Sequence, residues 1–435
     1  MKLNWFSPLP PDHTEIANVT ARMLPALAKA FDLSVYTERA QWSESLNAVC
    51  QIEHFKAHAL DWKKLHHGGI PVYHIGNNIH FHGEIIHAAR KCPGIVVLHD
   101  LRLHETIMNF CLYKGAGRTG YFDILHKYGG PEAVDLGIRY LEEHQPDIAT
   151  ISGQYPLFEY VLENAIGVIT YNPLNVPPVR KATPAPVLYS PLPFLSKAEL
   201  QPRISRAKRH DGVYKILIFG FLGGPNRRLR PFLEAFSKSE VQSSFEILLA
   251  GKYPEADLKA WIKELGIGDR VTLKGFLSDD DLDGLLRESD LTINLRWPSM
   301  GESSATLLRV WNYSLPSLVT DTAFYSTLPS EVVAFVDPQE EERDILKHLS
   351  AFSDNPEPYF EMGLKGRGLL ESQHSVEASI DHLKSFLPEV VRWQGNVQAQ
   401  TFGINLAGDF LSDYPEGPVK TALVQSCADE IATWS

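Results

Sequence analysis

The sequence has few cysteines and lacks any apolar run long enough to cross a membrane. Cys50, Cys92, Cys111 and Cys427 are scattered without the short spacings of a metal site, and nothing at the N-terminus resembles a secretion signal. We therefore expect a reducing, cytoplasmic location. The longest apolar stretches, such as Ile95–Leu98, are strand-sized, whereas a spanning helix requires roughly 18–20 apolar residues. Association with the cytoplasmic face of a membrane is then limited to a peripheral contact.

Positive charge is also scarce. The 435 residues carry a formal net charge of −12, and no stripe of Lys and Arg is present. We therefore predict no nucleic-acid partner, and any phosphate must be bound by a local group of residues. The composition, 44% hydrophobic and 22% charged, is typical of globular proteins. The length favours two domains with separate cores and a cleft between them.

Short β-rich segments alternate with amphipathic helical segments in the first half of the chain, which indicates βαβ units and a parallel sheet. We predict a doubly wound, Rossmann-like domain over residues 1–205 with a helical insertion over residues 101–165. The mixed-charge stretch Lys197–Asp211 indicates an exposed linker. The predicted strands are Leu3–Ser7, Leu33–Thr37, Val72–Ile75, Ile95–His99, Val168–Tyr171 and Val187–Tyr189.

The same alternation of β-rich and helical segments begins again after the linker and predicts a second Rossmann-like domain over residues 206–375. Residues 376–435 are predicted to supply a helix that crosses back to the first domain, followed by a tail. The predicted fold class is therefore α/β, with two doubly wound parallel-sheet domains facing across a cleft. The second set of strands is Lys215–Phe219, Phe245–Ala250, Val271–Leu273, Leu291–Leu295, Ser317–Thr320 and Val333–Val336, with helices at Leu229–Ser237, Ala256–Leu265, Asp279–Glu288 and Ala305–Tyr313.

One candidate binding loop, Gly220–Arg228, directly follows a predicted strand of the second domain. Ligands of open parallel sheets bind beyond the carboxyl ends of strands, where helix N-termini attract anions. Glycines allow a close approach of the backbone, and arginines supply donors suited to a diphosphate. The alternative is an ordinary Gly/Pro loop with solvated arginines. The candidate residues are Gly223, Gly224, Asn226, Arg227 and Arg228.

A second candidate loop, Arg296–Thr306, lies between a strand and an apolar helix of the same domain. Ser303 and Ser304 can cap that helix and leave N–H groups for a phosphate, while Arg296 adds a cation. Glu302 can accept hydrogen bonds from sugar hydroxyls. The alternative is an ordinary helix cap, and the pairing with the first loop in one domain favours a binding site.

Histidines and acidic residues provide further candidates. His99-Asp100 ends a buried strand that points into an interdomain cleft, although a lone His at a strand end is often structural. His74, His80 and His82 lack the carboxylate or Cys spacing that would complete a metal site, so we interpret them as solvated or helix-start residues. The acidic run Asp279–Asp281 is predicted to open a helix, where the dipole favours carboxylates. We predict no metal site.

As a set, these segments resemble the retaining GT-B glycosyltransferases of family GT4, in a bacterial branch. The similarity covers most of residues 1–390, and the last of the matching segments is the most specific. They are Ser7–Pro11, Ile75–Asn78, Val97–Asp100, Leu273–Phe276, Ser289–Trp297 and Gly301–Pro316.

The resemblance implies transfer of a hexosyl-type sugar from a nucleoside diphosphate donor, a UDP- or GDP-sugar, with retention of configuration. It implies no obligatory metal or other cofactor, and a glycan, protein or lipid-linked acceptor in bacterial polysaccharide or glycoconjugate assembly. By position, Arg227 matches the family's phosphate-binding Lys, Glu302 the Glu that holds the donor sugar, and His99 a first-domain contact to that sugar. Phe276 falls in the donor half.

The sequence departs from the family where a second Glu normally binds ribose, because Arg309 and Val310 occupy the candidate positions. Phe221 follows Gly220 where many members have Arg, and Glu15 stands where a Gly is usual. Three alternatives stay open: a sugar-nucleotide epimerase, a sugar phosphorylase, and a non-catalytic subunit that binds a sugar nucleotide or a glycan.

Overall fold

A computed structural model describes residues 1–194, 212–412 and 417–432. Buried apolar segments form two parallel sheets, each covered by helices on both faces. The predicted fold class, α/β with two doubly wound domains, is confirmed. The predicted linker over Lys197–Asp211 and the predicted boundary at residue 205 lie outside the described residues.

The first sheet is wholly parallel. Its strands are β1 (Lys2–Phe6), β2 (Asp32–Thr37), β3 (Gln51–His54), β4 (Ile70–Ile75), β5 (Gly94–Leu98), β6 (Ala165–Thr170) and β7 (Val187–Tyr189). They are arranged in the order β3-β2-β1-β4-β5-β6-β7. The edge strand β3 is absent from the prediction because it is short, polar and nowhere fully buried, so it gives no apolar run.

Helices cover both faces of this sheet and form an insertion beside its carboxyl edge. Between β5 and β6 the chain contains only helices, α4 to α7, in place of a single crossover helix. The helix α1 buries Val19, Met23 and Leu27 against the sheet. The helices are α1 (Glu15–Ala30), α2 (Trp62–His67), α3 (Ile79–Lys91), α4 (His104–Lys114), α5 (Gly117–Glu143), α6 (Ile148–Gln154), α7 (Glu159–Leu162) and α8 (Val176–Ala182).

The second sheet repeats this strand order. Its strands are β8 (Tyr214–Phe221), β9 (Phe245–Lys252), β10 (Val271–Gly275), β11 (Leu291–Asn294), β12 (Ser317–Thr320) and β13 (Ala334–Val336). They are all parallel, in the order β10-β9-β8-β11-β12-β13. At the ends of β8 and β9 the backbones lie so close that a Cβ on Gly251 would stand 2.0 Å from the Gly220 carbonyl oxygen, and only glycine fits.

The helices of the second half include two whose bounds agree with the prediction residue for residue, α9 and α11. The acidic run at Asp279 opens α11 as predicted, after Ser278 as N-cap. The helices are α9 (Leu229–Ser237), α10 (Glu255–Glu264), α11 (Asp279–Glu288), α12 (Ala305–Asn312), α13 (Glu341–Asp354), α14 (Glu357–Gln373), α15 (Val376–Ser412) and α16 (Pro418–Ala432).

Among the described residues, no helix combines the length and apolar character that a membrane crossing requires.

The chain returns to the first domain through α15. Val390 packs so closely on β6 that a Cβ on Gly167 would lie 2.7 Å from its side chain. At the crossing itself, the backbone N–H of Phe194 donates to the carbonyl of His374 at 2.7 Å, and the His374 imidazole Nδ1 donates to the carbonyl of Leu192 at 2.8 Å. The outgoing and returning segments are therefore bonded to each other between the domains.

Candidate functional site

The two candidate loops of the second domain lie side by side at the carboxyl edge of its sheet. The strands β8 and β11 are neighbours where the strand order reverses, which is the place where open α/β sheets bind ligands. The strand β8 extends two residues beyond the prediction, so Gly220–Arg228 begins with its last two residues and continues into the loop, and Arg296–Thr306 follows β11. The backbone N–H of Trp297 donates to the carbonyl of Asn226 at 2.7 Å. The sheet topology therefore brings together two segments that are about 70 residues apart in the sequence.

The carboxylate of Glu302 is largely buried and accepts three hydrogen bonds. Arg296 Nη1 donates to Oε1 at 2.7 Å, while Ser299 Oγ at 3.0 Å and the Met300 backbone N–H at 2.7 Å donate to Oε2. Burial alone would raise the pKa of Glu302, but the charge and hydrogen bond of Arg296, the backbone N–H of Glu302 and the charge of Arg227 outweigh it and lower that pKa. Glu302 is therefore an ionised acceptor held in one orientation.

Arg227 is the second cation of the site. Within the part of the chain that the structure describes, its guanidinium has no hydrogen-bond or ion-pair partner. Repulsion from the Arg296 charge, together with burial, lowers the pKa of Arg227 to about 10. Arg228, by contrast, points to α13, where its Nε donates to both oxygens of Glu341 at 3.0 and 3.1 Å. Of the two adjacent arginines, only Arg227 presents an uncompensated charge to the cleft.

The remaining candidates of the second domain occupy distinct positions. Ser304 is the N-cap of α12, and its Oγ is already bonded to Leu307, Asn294 and Tyr325. The Ser303 hydroxyl donates to the carbonyl of Tyr171 in the first domain. Gly223 and Gly224 lie in the turn before Arg227, whose backbone N–H donates to the Gly224 carbonyl at 3.0 Å.

Phe276 is separate from this group, at the end of β10. Its side chain is 65% exposed, which is unusual for an aromatic ring of this size. The ring meets that of His13 from the first domain edge to face, with centroids 5.1 Å apart. Phe276 therefore marks a further contact across the cleft.

The segment 299–303 carries Glu302 and is docked on the first domain. The Met300 carbonyl accepts hydrogen bonds from the backbone N–H groups of Leu101 and Arg102, both at 3.0 Å. The Gly301 carbonyl accepts from the side-chain amides of Asn172 at 3.1 Å and Asn175 at 2.8 Å. With a φ of +82°, Gly301 adopts a backbone that favours glycine, and a Cβ there would lie 2.6 Å from Leu101 Cβ.

The first domain contributes His99 and Asp100 at the end of β5. His99 Nε2 is hydrogen-bonded to His74 Nδ1 at 2.9 Å, and its ring contacts Tyr171 edge to face with centroids 5.1 Å apart. Asp100 Oδ2 accepts the backbone N–H of Asn77 at 2.8 Å. Burial raises the pKa of Asp100 to about 7, and Glu302 across the cleft adds to that rise. The two carboxyl groups therefore influence each other across the domains.

The interpretation of His74 as a solvated or helix-start residue is wrong, and His82, which does lie in the first turn of a helix, is not solvated. His74 lies in β4 and His82 in α3, and both are buried; only His80 is exposed in the first turn of a helix. Helices on both faces of a parallel sheet bury even the polar residues of its central strands. His82 Nδ1 donates to the His74 carbonyl at 3.0 Å, so a hydrogen bond satisfies this buried ring.

Several residues of the site have no role in the sequence prediction. Asp100 is part of the predicted His99-Asp100 pair, but the prediction gives it no role of its own. Arg102 is half-buried and lies close enough to Glu302 for the carboxylate charge to affect its pKa. Asn172 and Asn175 follow β6, and polar residues after a strand are the signal that identifies the other loops. The same rule, applied to every strand of the first domain, would have found both asparagines.

The position where the resemblance implies a ribose-binding Glu is occupied by a structural ion pair. Arg309 donates to Asp279 Oδ1 and to Asp283 Oδ1, both at 2.7 Å, so its charge is compensated on α11. In the described parts of the chain, no group of three or more His, Cys, Asp or Glu residues is placed to hold a metal ion.

Comparisons with known proteins concern the second domain and the overall fold. Residues 214–355 match the family model described as Glycosyl transferases group 1. No curated protein matches the sequence. Among solved structures, sucrose-phosphate synthase from Thermosynechococcus elongatus is similar with a TM-score of 0.63 and 13% identity, over 90% of this chain and 99% of that one.

Two further structures show the same likeness. HepE of Anabaena, solved in complex with UDP, has a TM-score of 0.60 and 11% identity over 89% of this chain and 100% of that one. WaaG, a glycosyltransferase involved in lipopolysaccharide biosynthesis, has a TM-score of 0.57 and 12% identity, over 88% of this chain and 99% of that one. The chain therefore has the GT-B fold, and its second domain carries the sequence pattern of the group 1 glycosyl transferases.

Proposed function

We propose that this protein is a retaining glycosyltransferase that moves a sugar from a nucleoside diphosphate to a hydroxyl group of a glycan or lipid-linked glycan. The observation that carries the proposal is the crowding of Arg227 and Arg296 at the carboxyl edge of the second sheet, where Arg296 is paired with the carboxylate of Glu302 and the charge of Arg296 lowers the pKa of Arg227. Two close cations repel each other, and this repulsion is relieved when an anion binds between them. A diphosphate supplies that anion, and guanidinium groups match its oxygens in geometry.

Glu302 is suited to hold the sugar. An ionised carboxylate offers about four acceptor positions, and a neighbouring Arg, Ser and backbone N–H already use three of them. The remaining position, on Oε1, fits one sugar hydroxyl. Because the carboxylate is paired with Arg296 and held by the 299–303 segment, we assign it to positioning the sugar and not to nucleophilic attack.

The chemistry then follows from charge. As the bond between the anomeric carbon and the phosphate oxygen breaks, negative charge grows on the diphosphate, where Arg227 and Arg296 stabilise it. The acceptor hydroxyl attacks from the same face, and its proton passes to the leaving phosphate oxygen. This scheme needs no metal, because the two guanidinium groups supply the positive charge. It also needs no second carboxylate near the anomeric carbon.

The related structures guide the choice of donor and acceptor. HepE has been solved with UDP and with UDP-glucose, so UDP-sugars are the first donors to test, followed by GDP-sugars. WaaG acts in lipopolysaccharide biosynthesis, which supports a glycan or lipid-linked acceptor in bacterial surface polysaccharide assembly. The cytoplasmic location and the peripheral membrane contact belong to the same proposal.

The test compares Arg227→Gln with Arg230→Gln. Arg230 is exposed on α9 and paired with Glu234, so it controls for the loss of one nearby positive charge. Charge-assisted hydrogen bonds contribute about 1.5–3 kcal/mol, so Arg227→Gln should weaken calorimetric UDP or GDP binding by roughly 10- to 100-fold. The control should bind as the wild type does. Equal affinities for the two variants would contradict the placement of the diphosphate.

Turnover assays separate the proposed activity from its alternatives. Incubation with a nucleotide sugar and an acceptor should release the nucleoside diphosphate and form a glycoside of unchanged anomeric configuration. Isomerised donor without an acceptor would identify an epimerase instead. Binding of nucleotide without turnover for any donor and acceptor would identify a binding subunit.

A further inference from the structure

Three aromatic side chains form a row from the core of the first domain to the cleft. Trp5 in β1 and His74 in β4 have ring centroids 4.6 Å apart, and those of His74 and His99 are 5.1 Å apart. The two imidazoles share a hydrogen bond between His74 Nδ1 and His99 Nε2. His99 thus stands at the cleft, and the other two rings lie behind it.

Each ring of this row is electrically neutral at physiological pH. Burial lowers the pKa of His74 to about 3, and burial with the neighbouring His74 holds the pKa of His99 well below its usual range. A neutral imidazole carries one N–H donor and one bare nitrogen acceptor. The hydrogen bond between the two histidines therefore has a direction that the neighbouring groups must set.

Two buried atoms of the row are unpaired. Trp5 Nε1 and His74 Nε2 have no hydrogen-bond partner anywhere in the described residues. The indole N–H of Trp5 is only ever a donor. If His74 carried its proton on Nε2, two N–H donors would be buried unpaired in adjacent rings, a rare and costly arrangement. With the proton on Nδ1, His74 leaves only an acceptor nitrogen unpaired, so the two adjacent rings bury one unpaired donor and not two.

We propose that Trp5 and His74 fix the tautomer of His99, so that His99 carries its proton on Nδ1 and donates it to an oxygen of the transferred sugar. His74 Nδ1–H donates to His99 Nε2, which leaves Nδ1 of His99 as the protonated nitrogen. This second nitrogen of His99 is not among the fully buried unpaired atoms and is bonded to no described residue, so it keeps some exposure and remains available to a ligand. The identity of the ligand as a sugar rests on the proposed function; the tautomer does not.

The assignment gives the site complementary polarity. Glu302 on the second domain can only accept a hydrogen bond, and His99 on the first domain can only donate one. A sugar held between them needs one hydroxyl that donates and one oxygen that accepts. His74 and Trp5 touch no substrate in this arrangement and are positioning residues.

The first test reads the tautomer directly, without donor or acceptor. In protein labelled with [15N]histidine, long-range proton–nitrogen correlation spectra distinguish a protonated Nδ1 from a protonated Nε2. The His99 signals are assigned from their absence in His99→Gln. We expect His74 and His99 to be protonated on Nδ1. A proton on Nε2 of His99 would overturn the proposal, whether or not the protein transfers sugars.

The second test reverses the direction of the hydrogen bond with a matched pair of variants. His74→Asn can still donate from a nitrogen close to the position of Nδ1, whereas the ionised carboxylate of His74→Asp can only accept and requires a proton on Nε2 of His99. We expect His74→Asn to keep the His99 tautomer and kcat within about threefold of wild type. His74→Asp should change the tautomer and lower kcat about tenfold or more. The same His99 tautomer in both variants would overturn the proposal.

His348→Asn serves as the control. This half-buried histidine of the second domain is hydrogen-bonded through both ring nitrogens, to Tyr359 and to the Phe335 carbonyl, and lies on α13, outside the cleft. Its replacement should leave the His99 signals and kcat unchanged. If the tautomer is as expected and no variant or wild type shows turnover, the proposed function fails while the tautomer assignment stands.

Discussion

The raised pKa of Asp100 predicts that this carboxyl destabilises the folded protein above neutral pH. Burial raises its pKa from 3.8 to about 7, and Glu302 adds to the rise, while the Asn77 N–H and Arg296 partly oppose it. Between these pH values the unfolded chain releases the proton and the folded protein retains it. Stability is therefore lost progressively from about pH 4 to about pH 7 and is constant above that. A shift of about three pKa units corresponds to about 4 kcal/mol.

Asp100→Asn tests this because the amide keeps an oxygen for the Asn77 N–H but cannot ionise. The free energy of urea unfolding should be similar for variant and wild type at pH 4, and the variant should be more stable at pH 8 by up to about 4 kcal/mol. Asp135→Asn, which removes an exposed carboxyl from α5, is the control. A difference between Asp100→Asn and wild type that does not change between pH 4 and pH 8 would refute the reasoning.

Two other contacts give predictions of similar precision. Asn175→Ala removes one of the two amide donors to the Gly301 carbonyl, a loss of about 1 kcal/mol, so hydrogen exchange across residues 299–303 should accelerate about fivefold. Unchanged exchange would mean that the contact does not hold this segment. Arg309→Ala removes the cation from the buried Asp283 and should lower the free energy of unfolding by about 3 kcal/mol. A loss below about 1 kcal/mol in urea would show that this pair contributes little.

The architecture could be predicted from the sequence because parallel strands are short apolar runs with clear ends. The predicted bounds of α9 and α11 agree with the structure, since each has a regular apolar stripe and a distinct start. The exception, β3, is a polar edge strand whose position depends on β2 and not on its own residues. Local sequence patterns identify helices and strands that bury their own apolar side chains. They miss a strand such as β3, which forms because it pairs with a neighbouring strand.

The site could be predicted only in part, because its contacts join distant residues. Nothing in the order of Arg227 and Arg228 shows that the second pairs with Glu341, 113 residues away. The donors to the Gly301 carbonyl come from more than 120 residues earlier in the chain. The ends of predicted strands indicate which loops meet at the carboxyl edge of a sheet. The partners that the fold brings near each loop decide which of its side chains faces the cleft.

The paired crossing between the domains has a mechanical consequence. The chain returns to the first domain near His374, which is hydrogen-bonded to Leu192 and to Phe194, the last residue described before the second domain. We expect this contact to act as a pivot, so that rotation of the domains about it is easier than sliding. The 299–303 segment meets the first domain through a handful of hydrogen bonds away from this pivot. Opening should therefore part Gly301 from Asn172 and Asn175 together, while the pivot at Phe194 and His374 stays intact.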